Sequence, residues 1–418
     1  MAQLKDDCFV GSEALTPLNE ALEDLAARLS PIADVETVAL SDALSRFLAE
    51  DIVAGRNVPP HDNSAVDGYA VHFDDLAADG DTRLPLGGTI AAGHPLQEAV
   101  ERGRAYRIFT GAAMPQGPDT VFMQEDVTVD GDQAILPAGL KRGSNRRFAG
   151  EDIEQGSVVV AAGQRLRPQD LGVIASVGLD RVAVYKPLRA AVFSTGDEIR
   201  DPSDQAPLGC VFDANRYTVM AMLQDQGCSV DDLGILPDDE TAISSALKSA
   251  SASHDLIITS GGVSVGDEDH VRTAVLGLGK LHFWRLAIKP GRPVALGQID
   301  DAVFIGLPGN PVATMVTFMR VALPLITLLA GGRDISPTCY SVASAFTYSK
   351  KPGRREWVRC RLLRGKDGVL RAEKYSSSGA GVLSSMVWAQ GLVELDEDRT
   401  HLKPGDQVDF LPFSEVSK

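Results

Sequence analysis

Residues 255–276, DLIITSGGVSVGDEDHVRTAVL, decide the fold. An apolar strand-length run, Asp255–Thr259, meets a glycine turn at Gly261-Gly262, and a helix is predicted over 269–276. The same strand–turn–helix unit recurs outward from it. Further strands are predicted at Ala190–Ser194, Ser229–Ile235, Leu281–Ile288 and Val303–Gly306. Further helices are predicted at 213–226, with Asp213 as cap, at 239–250 and at 312–330. This alternation predicts a doubly wound α/β domain over 188–334.

In an open α/β sheet, ligands bind beyond the carboxyl ends of the strands. Four polar, glycine-bearing loops fall there: Thr195–Glu198 (TGDE), Ser260–Asp269 (SGGVSVGDED), Lys289–Pro293 (KPGRP) and Leu307–Pro311 (LPGNP). The nest at Gly261, Gly262 and Ser264 exposes backbone N–H groups just before a helix, which suits phosphate; as a plain turn it has no ligand. Neither the P-loop nor the GxGxxG pattern is present. Gly262–Gly266 matches GxSxG, so a serine hydrolase is a rival, with His270, His282 and His401 as the histidines downstream of Ser264. Asp267, Glu268 and Asp269 follow at once, and they suit a hard cation better than an acyl-enzyme.

Glu198 closes the first loop, and Pro237-Asp238-Asp239-Glu240 opens a helix. The second group reads either as helix capping or, through Asp238 with Asp269, as a magnesium site of one or two carboxylates completed by phosphate oxygens. Arg285 and Lys289 share one face of the predicted strand, and Arg292 follows, which makes a cationic strip fit for an anion.

Before the α/β domain, helices are predicted at 16–30, with Thr16 as cap and Pro17 in the first turn, and at 41–49, with Ser41 as cap. Residues 57–148 turn to short β runs (YAVHF, AYRIF, DTVFMQEDVTV, AILPA) between Gly/Pro/Asp turns. They read as a β domain inserted into a discontinuous helical and mixed first domain, 1–56 with 149–187. The tail, 335–418, reads as a small β-barrel or sandwich. The chain is thus expected to be multidomain α/β plus β.

The chain has 418 residues and a net charge of −17. That excludes a generic nucleic-acid binder, which needs Lys and Arg to displace counterions, and argues against an anionic membrane surface. The charge is uneven: residues 336–375 hold ten Lys/Arg against Glu356, Asp367 and Glu373, a surplus of +7 that leaves −24 elsewhere. A local cationic patch on an acidic body fits one small, highly charged anion. Five scattered cysteines without a CxxC pair fit a reducing cytoplasm, and no signal-peptide core opens the chain. Residues 312–330 approach membrane-spanning length, but Arg320 and Pro324 inside them favour a buried helix.

The strings NSAVDGYA, IFTGAAMPQGPDTVFMQED, RRFAGEDI, FSTGDEI, TSGGVSVGDED, IKPGRP and GLPGNP, in this order over residues 57–311, resemble the molybdopterin molybdenumtransferase family, the bacterial MoeA proteins, similar to the gephyrin E domain. The resemblance implies a molybdenum insertase. Such an enzyme takes adenylylated molybdopterin, molybdate and Mg2+, and releases AMP and molybdenum cofactor. It implies a four-domain subunit with a C-terminal β-barrel and a homodimer whose clefts lie at the subunit interface. Molybdopterin adenylyltransferase and molybdoenzyme maturation proteins are the implied transient partners.

By motif, Asp67, Thr110 and Asp152 of one subunit would face Glu198, Asp238 and Asp269 of the other, with Asp238 and Asp269 as metal ligands. Gly261, Gly262 and Ser264 would hold pterin phosphate or adenylate, and Pro308, Asn310 and Pro311 would shape the pocket. Lys289 and Arg292 would take the oxyanion, helped by Arg354 or Arg355 and by serines of 376–385 such as Ser378. Arg285 would extend the cationic wall. Val66, Arg292 and Ala313 depart from the residues frequent in the family (Met, Lys and Ser), and Ala313 removes a hydroxyl from the oxyanion site. A scaffold-only role and the upstream adenylyltransferase are the remaining rivals. The extra β domains and the Asp67 and Asp152 motifs argue against the adenylyltransferase.

Overall fold

A computed structural model describes residues 15–262, 270–284, 286–291 and 294–416. Six strands build the α/β sheet in the order Ser229–Leu236, Arg189–Thr195, Leu256–Ser260, Ala302–Leu307, Val294–Ile299 and Gly279–Trp284. The first four are parallel. Val294–Ile299 is antiparallel to both its neighbours, so Gly279–Trp284 again runs in the common direction.

Side chains alternate between two cores, one on each face of this sheet. Ala190, Val192, Ile258 and Ile305 pack with Val219, Leu223, Val316 and Leu325 of helices Asn215–Asp225 and 311–329. Ala191, Phe193, Ile257 and Phe304 pack with Ile243, Leu247 and Val275 of helices Glu240–Ser251 and His270–Leu278. Coverage of both faces is why these strands read as continuous apolar runs.

Helix 311–329 is continuous but not uniform. Pro324 has no N–H to give to the carbonyl four residues back, and the turn before it, Phe318–Ala322, widens to a π-helix. This is the helix among the described residues that is long and apolar enough to cross a membrane, and 83% of its span is buried within the protein. Asp239 caps Glu240–Ser251, its carboxylate accepting from the Ala242 N–H at 2.8 Å, so the capping reading holds for this side chain.

Strands Arg355–Arg364, Leu370–Lys374, Tyr340–Ser344, Gln407–Pro412 and Gly391–Leu395 close into a five-stranded barrel, the last pairing back on the first. The barrel, rather than a sandwich, is what forms.

The expected strand 281–288 divides. Its second half, Ile288–Lys289, leaves the α/β sheet and pairs in parallel with Arg355–Glu356 of the barrel. The strand Val294–Ile299, buried at all six positions, was not anticipated, because Pro293 and Gly297 broke its pattern.

Two N-terminal expectations change. Thr16 does not cap helix Leu18–Arg28; its carbonyl accepts from Ala287 N–H at 2.8 Å instead. Residues 41–49 are not an α-helix but a short 3-10 turn at Leu40–Asp42. Ser45 lies at φ 65°, and Phe47 and Leu48 enter β-bridges to Arg165 and Val184.

Val35–Ala39 pairs with Arg181–Tyr185, and Ile52–Val53 with Val158–Val160. Between these pairs lies a second six-stranded sheet, ordered Thr120–Met123, Gly68–Val71, Ala105–Ile108, Thr82–Ile90, Gln133–Leu136 and Thr128–Asp130. Strand Thr82–Ile90 was hidden in the sequence by Pro85, Gly87 and Gly88. Gly87 is required there, because a Cβ would stand 2.5 Å from the Tyr106 ring.

Candidate active site

The parallel strands end together, and their loops touch. Thr195 donates its hydroxyl to Asp238 at 3.4 Å, which joins the TGDE loop to the PDDE segment. Gly262, at φ 64°, packs where a Cβ would meet both Thr195 and Val271 at 2.8 Å. Gly261 donates its N–H to the Leu307 carbonyl at 3.0 Å, and its Cα lies 3.7 Å from the Cβ position of Gly309. Asn215 clamps the Gly309 carbonyl at 2.7 Å. Glu198 and Asp238 are exposed at this edge. Ser264, Asp269, Arg285 and Arg292 lie outside the described residues.

Beside these loops a cavity of about 340 Å3 lies between the α/β domain and the barrel. Lys289, Gly291, Pro308, Asn310 and Ala313 line it from one side; Glu356, Arg359, Lys374 and Ser378 line it from the other. The Ile288–Lys289 strand stitches the two walls, and Val312 N–H donates to Ala380 O across them at 3.0 Å. Gly291 sits at φ 115° with its Cβ position 2.3 Å from the Thr317 hydroxyl, so only glycine fits against the buried helix.

Arg359 is 5% exposed. It donates to the carbonyls of Ser377 (2.8 Å) and Gly379 (3.3 Å), while its Nε has no partner. Burial pulls its pKa down. A guanidinium that lines a cavity is suited to an oxyanion.

In the inserted sheet, three motif strings converge. Asn63–Ser64 pairs with Arg146–Arg147, and Ser64 exchanges backbone hydrogen bonds with Gly111 and Ala112. Asp67 accepts from both the Thr110 N–H (2.7 Å) and the Thr110 hydroxyl (2.8 Å), and these bonds hold its carboxyl below the usual range. Asp62 pairs with Arg146 and accepts from Ala149 N–H at 2.7 Å, tying down the loop that leads to Asp152, which is itself exposed. Among the described residues, no hydrogen bond or ion pair links Asp67, Thr110 or Asp152 to the α/β strand edge.

Three family models match in succession: MoeA N-terminal region (domain I and II) over residues 16–178, probable molybdopterin binding domain over 191–327, and MoeA C-terminal region (domain IV) over 341–413. A protein of Haemophilus influenzae named molybdopterin molybdenumtransferase is 37% identical over 401 residues, covering 96% of this chain and 99% of its own. This chain belongs to the molybdopterin molybdenumtransferase (MoeA) family. It is a transferase of molybdenum cofactor biosynthesis. A Nostoc member of the same name is 32% identical, covering 92% of this chain and 90% of its own. The crystal structure of a Pyrococcus horikoshii molybdopterin biosynthesis MoeA protein superposes with a TM-score of 0.81 at 28% identity, over 95% of this chain and 100% of that one.

The site residues expected of a MoeA protein fall into distinct places in the fold. Lys289, Pro308, Asn310 and Ser378 reach the cavity, and so does Ala313. Pro311 opens the buried helix. Arg355 goes elsewhere: its guanidinium is taken by Glu394 at 2.9 Å, Glu397 at 3.2 Å and Asn19 at 2.9 Å. Arg354 is not among the cavity's lining residues; its carbonyl accepts from Lys350.

The barrel cations that do reach the cavity, Arg359 and Lys374, were not singled out from the sequence, nor were Tyr348 and Glu356. A signal existed for Arg359. In Trp357-Val358-Arg359-Cys360 the apolar Val358 and Cys360 face the barrel core, so period two turns Arg359 outward.

Proposed function

We propose that this chain inserts molybdenum from molybdate into the dithiolene of adenylylated molybdopterin, releasing AMP and molybdenum cofactor. The observation that carries the reading is the cavity walled by Lys289, Arg359 and Lys374 beside the glycine-bearing strand ends. A tetrahedral dianion needs such a cationic, hydrogen-bonding cradle. Gly262, with Ser264, would supply N–H groups for a phosphate, the Gly261 N–H being given to the Leu307 carbonyl, and Arg285 and Arg292 would extend the cationic wall. The names of the Haemophilus and Nostoc relatives support the same chemistry.

The donor set suits Mg2+. Asp238 presents an exposed carboxylate, a hard oxygen donor, at the strand edge. Mg2+ is characteristically held by one or two carboxylates with substrate phosphates completing its shell. Asp238, with Asp269, would hold it, and when bound it neutralises charge on the phosphate oxygens. Glu198 stands on the same edge. The chain's own cations orient the dianion, and the glycine nest holds the phosphate.

We further propose a homodimer in which Asp67, Thr110 and Asp152 of one subunit complete the strand edge of the other. Support comes from the Asp67–Thr110 pair, which is preformed yet unconnected to the strand edge of its own chain. Purified protein supplied with adenylylated molybdopterin, Mg2+ and molybdate should release AMP and form molybdenum cofactor. Formation of adenylylated molybdopterin from molybdopterin and MgATP by this protein alone would overturn the assignment.

A further inference from the structure

Glu356 is the one acid among the described residues that line the cavity, and it is out of place there. It is 5% exposed and stands among Lys289, Arg359 and Lys374. Burying a carboxylate is costly unless it is paired and hydrogen-bonded. Glu356 meets that condition with two donors: Lys289 Nζ at 3.1 Å and the Tyr348 hydroxyl at 2.9 Å, both on Oε2. Burial and this carboxylate together push the Tyr348 hydroxyl well above its usual range, so it stays a donor.

The Lys289 contact crosses the seam between α/β domain and barrel, at the parallel pair Lys289–Glu356. The Lys289 side chain is 54% exposed, so its ammonium can also face an incoming ion.

We propose that Glu356 is a positioning and affinity-setting residue: it holds Lys289 in the empty cavity, and an entering dianion competes with it for the ammonium. The inference rests on the cavity being the oxyanion site proposed above. With Glu356 ionised, the four charged lining groups sum to +2; without its charge they sum to +3. The carboxylate therefore weakens anion binding while keeping the lysine aimed. A site tuned this way gives up its oxyanion to the pterin rather than trapping it. Tyr348 tunes the grip, because its hydroxyl takes up part of the Glu356 charge that would otherwise bear on Lys289.

Molybdate binding to the full chain, followed by calorimetry, tests the proposal. Glu356→Gln keeps the shape and should bind molybdate about tenfold more tightly than the wild type. Tyr348→Phe leaves the carboxylate with Lys289 alone and should bind it more weakly. A purely structural role for Glu356 would weaken binding in both variants. Unchanged or weaker binding in Glu356→Gln, beside normal wild-type binding, overturns the role of Glu356 and leaves the cavity assignment standing. Should Glu356→Gln fail to fold, Tyr348→Phe decides: weaker binding at an unchanged melting temperature supports the proposal, and equal or tighter binding, or weaker binding with a lowered melting temperature, overturns it. No saturable molybdate binding by the wild type overturns the cavity assignment and this role with it.

Discussion

At the scale of single residues, the site depends on a few side chains whose neighbours leave no substitute. Asp67 holds Thr110 by two hydrogen bonds. Both bonds end on Asp67 Oδ1, so Asp67→Asn can keep them and removes the negative charge; activity should fall by at least about a hundredfold at unchanged melting temperature, read by AMP release. Gly291→Ala sets a Cβ 2.3 Å from Thr317 Oγ1 at φ 115°. It should lower stability by about 2 kcal/mol in urea unfolding and distort the cavity wall. Asp201 offers a pH test. The Ser203 N–H and hydroxyl, then Tyr217 and Arg216, hold its carboxyl down to about 2. A depressed pKa contributes stability that is complete above the unfolded value near 3.8 and lost as pH falls toward about 2. Between pH 4 and pH 2 the wild type should therefore lose its advantage over Asp201→Asn; a constant difference across that window would contradict this.

At the scale of elements, one helix ties the molecule together. Arg320 sits in the π-helical turn of helix 311–329, 6% exposed, pairing with Glu394 of the barrel at 3.2 Å and lying over the Trp357 ring. Glu394 also accepts from Arg355 and from the Trp357 indole at 2.7 Å. Removing one partner leaves a buried charge under-compensated, so Arg320→Ala should cost about 3 kcal/mol in denaturant unfolding. The helix was legible from its apolar run; the partner that makes its lone charge tolerable lies 74 residues away in sequence and was not. The same limit hid strand Val294–Ile299 and moved Ile288–Lys289 onto the barrel. Local pattern marks a strand, but its neighbour decides which sheet it joins.

At the scale of the whole molecule, the acidity and the cavity's cations are reconciled by placement. Part of the basic surplus at 336–375 is spent on acids outside that stretch, as in the Arg355–Glu394 and Arg355–Glu397 pairs. Arg359 and Lys374 are the members of that stretch that wall the cavity. The proposed dimer has a direct test. Asp67→Asn and Asp238→Asn each disable one half of a composite cleft. Refolding the two together should restore about a quarter of wild-type activity, because half the dimers are mixed and each has one intact cleft. No recovery would place both residues in one subunit's site.

The sequence by itself determined the doubly wound α/β domain, the barrel-forming tail and the strand-end loops. Each rests on short-range information: apolar period, glycine turns and chain direction. The order of the motif strings carried the family. Only the tertiary structure decided which basic residues face the cavity. Arg355 and Arg359 have the same parity on one strand, yet Glu394 and Glu397 take the first, and the second lines the cavity that Lys289 also lines. A charge finds its partner through space, so its availability to a ligand depends on what the fold brings within hydrogen-bond reach.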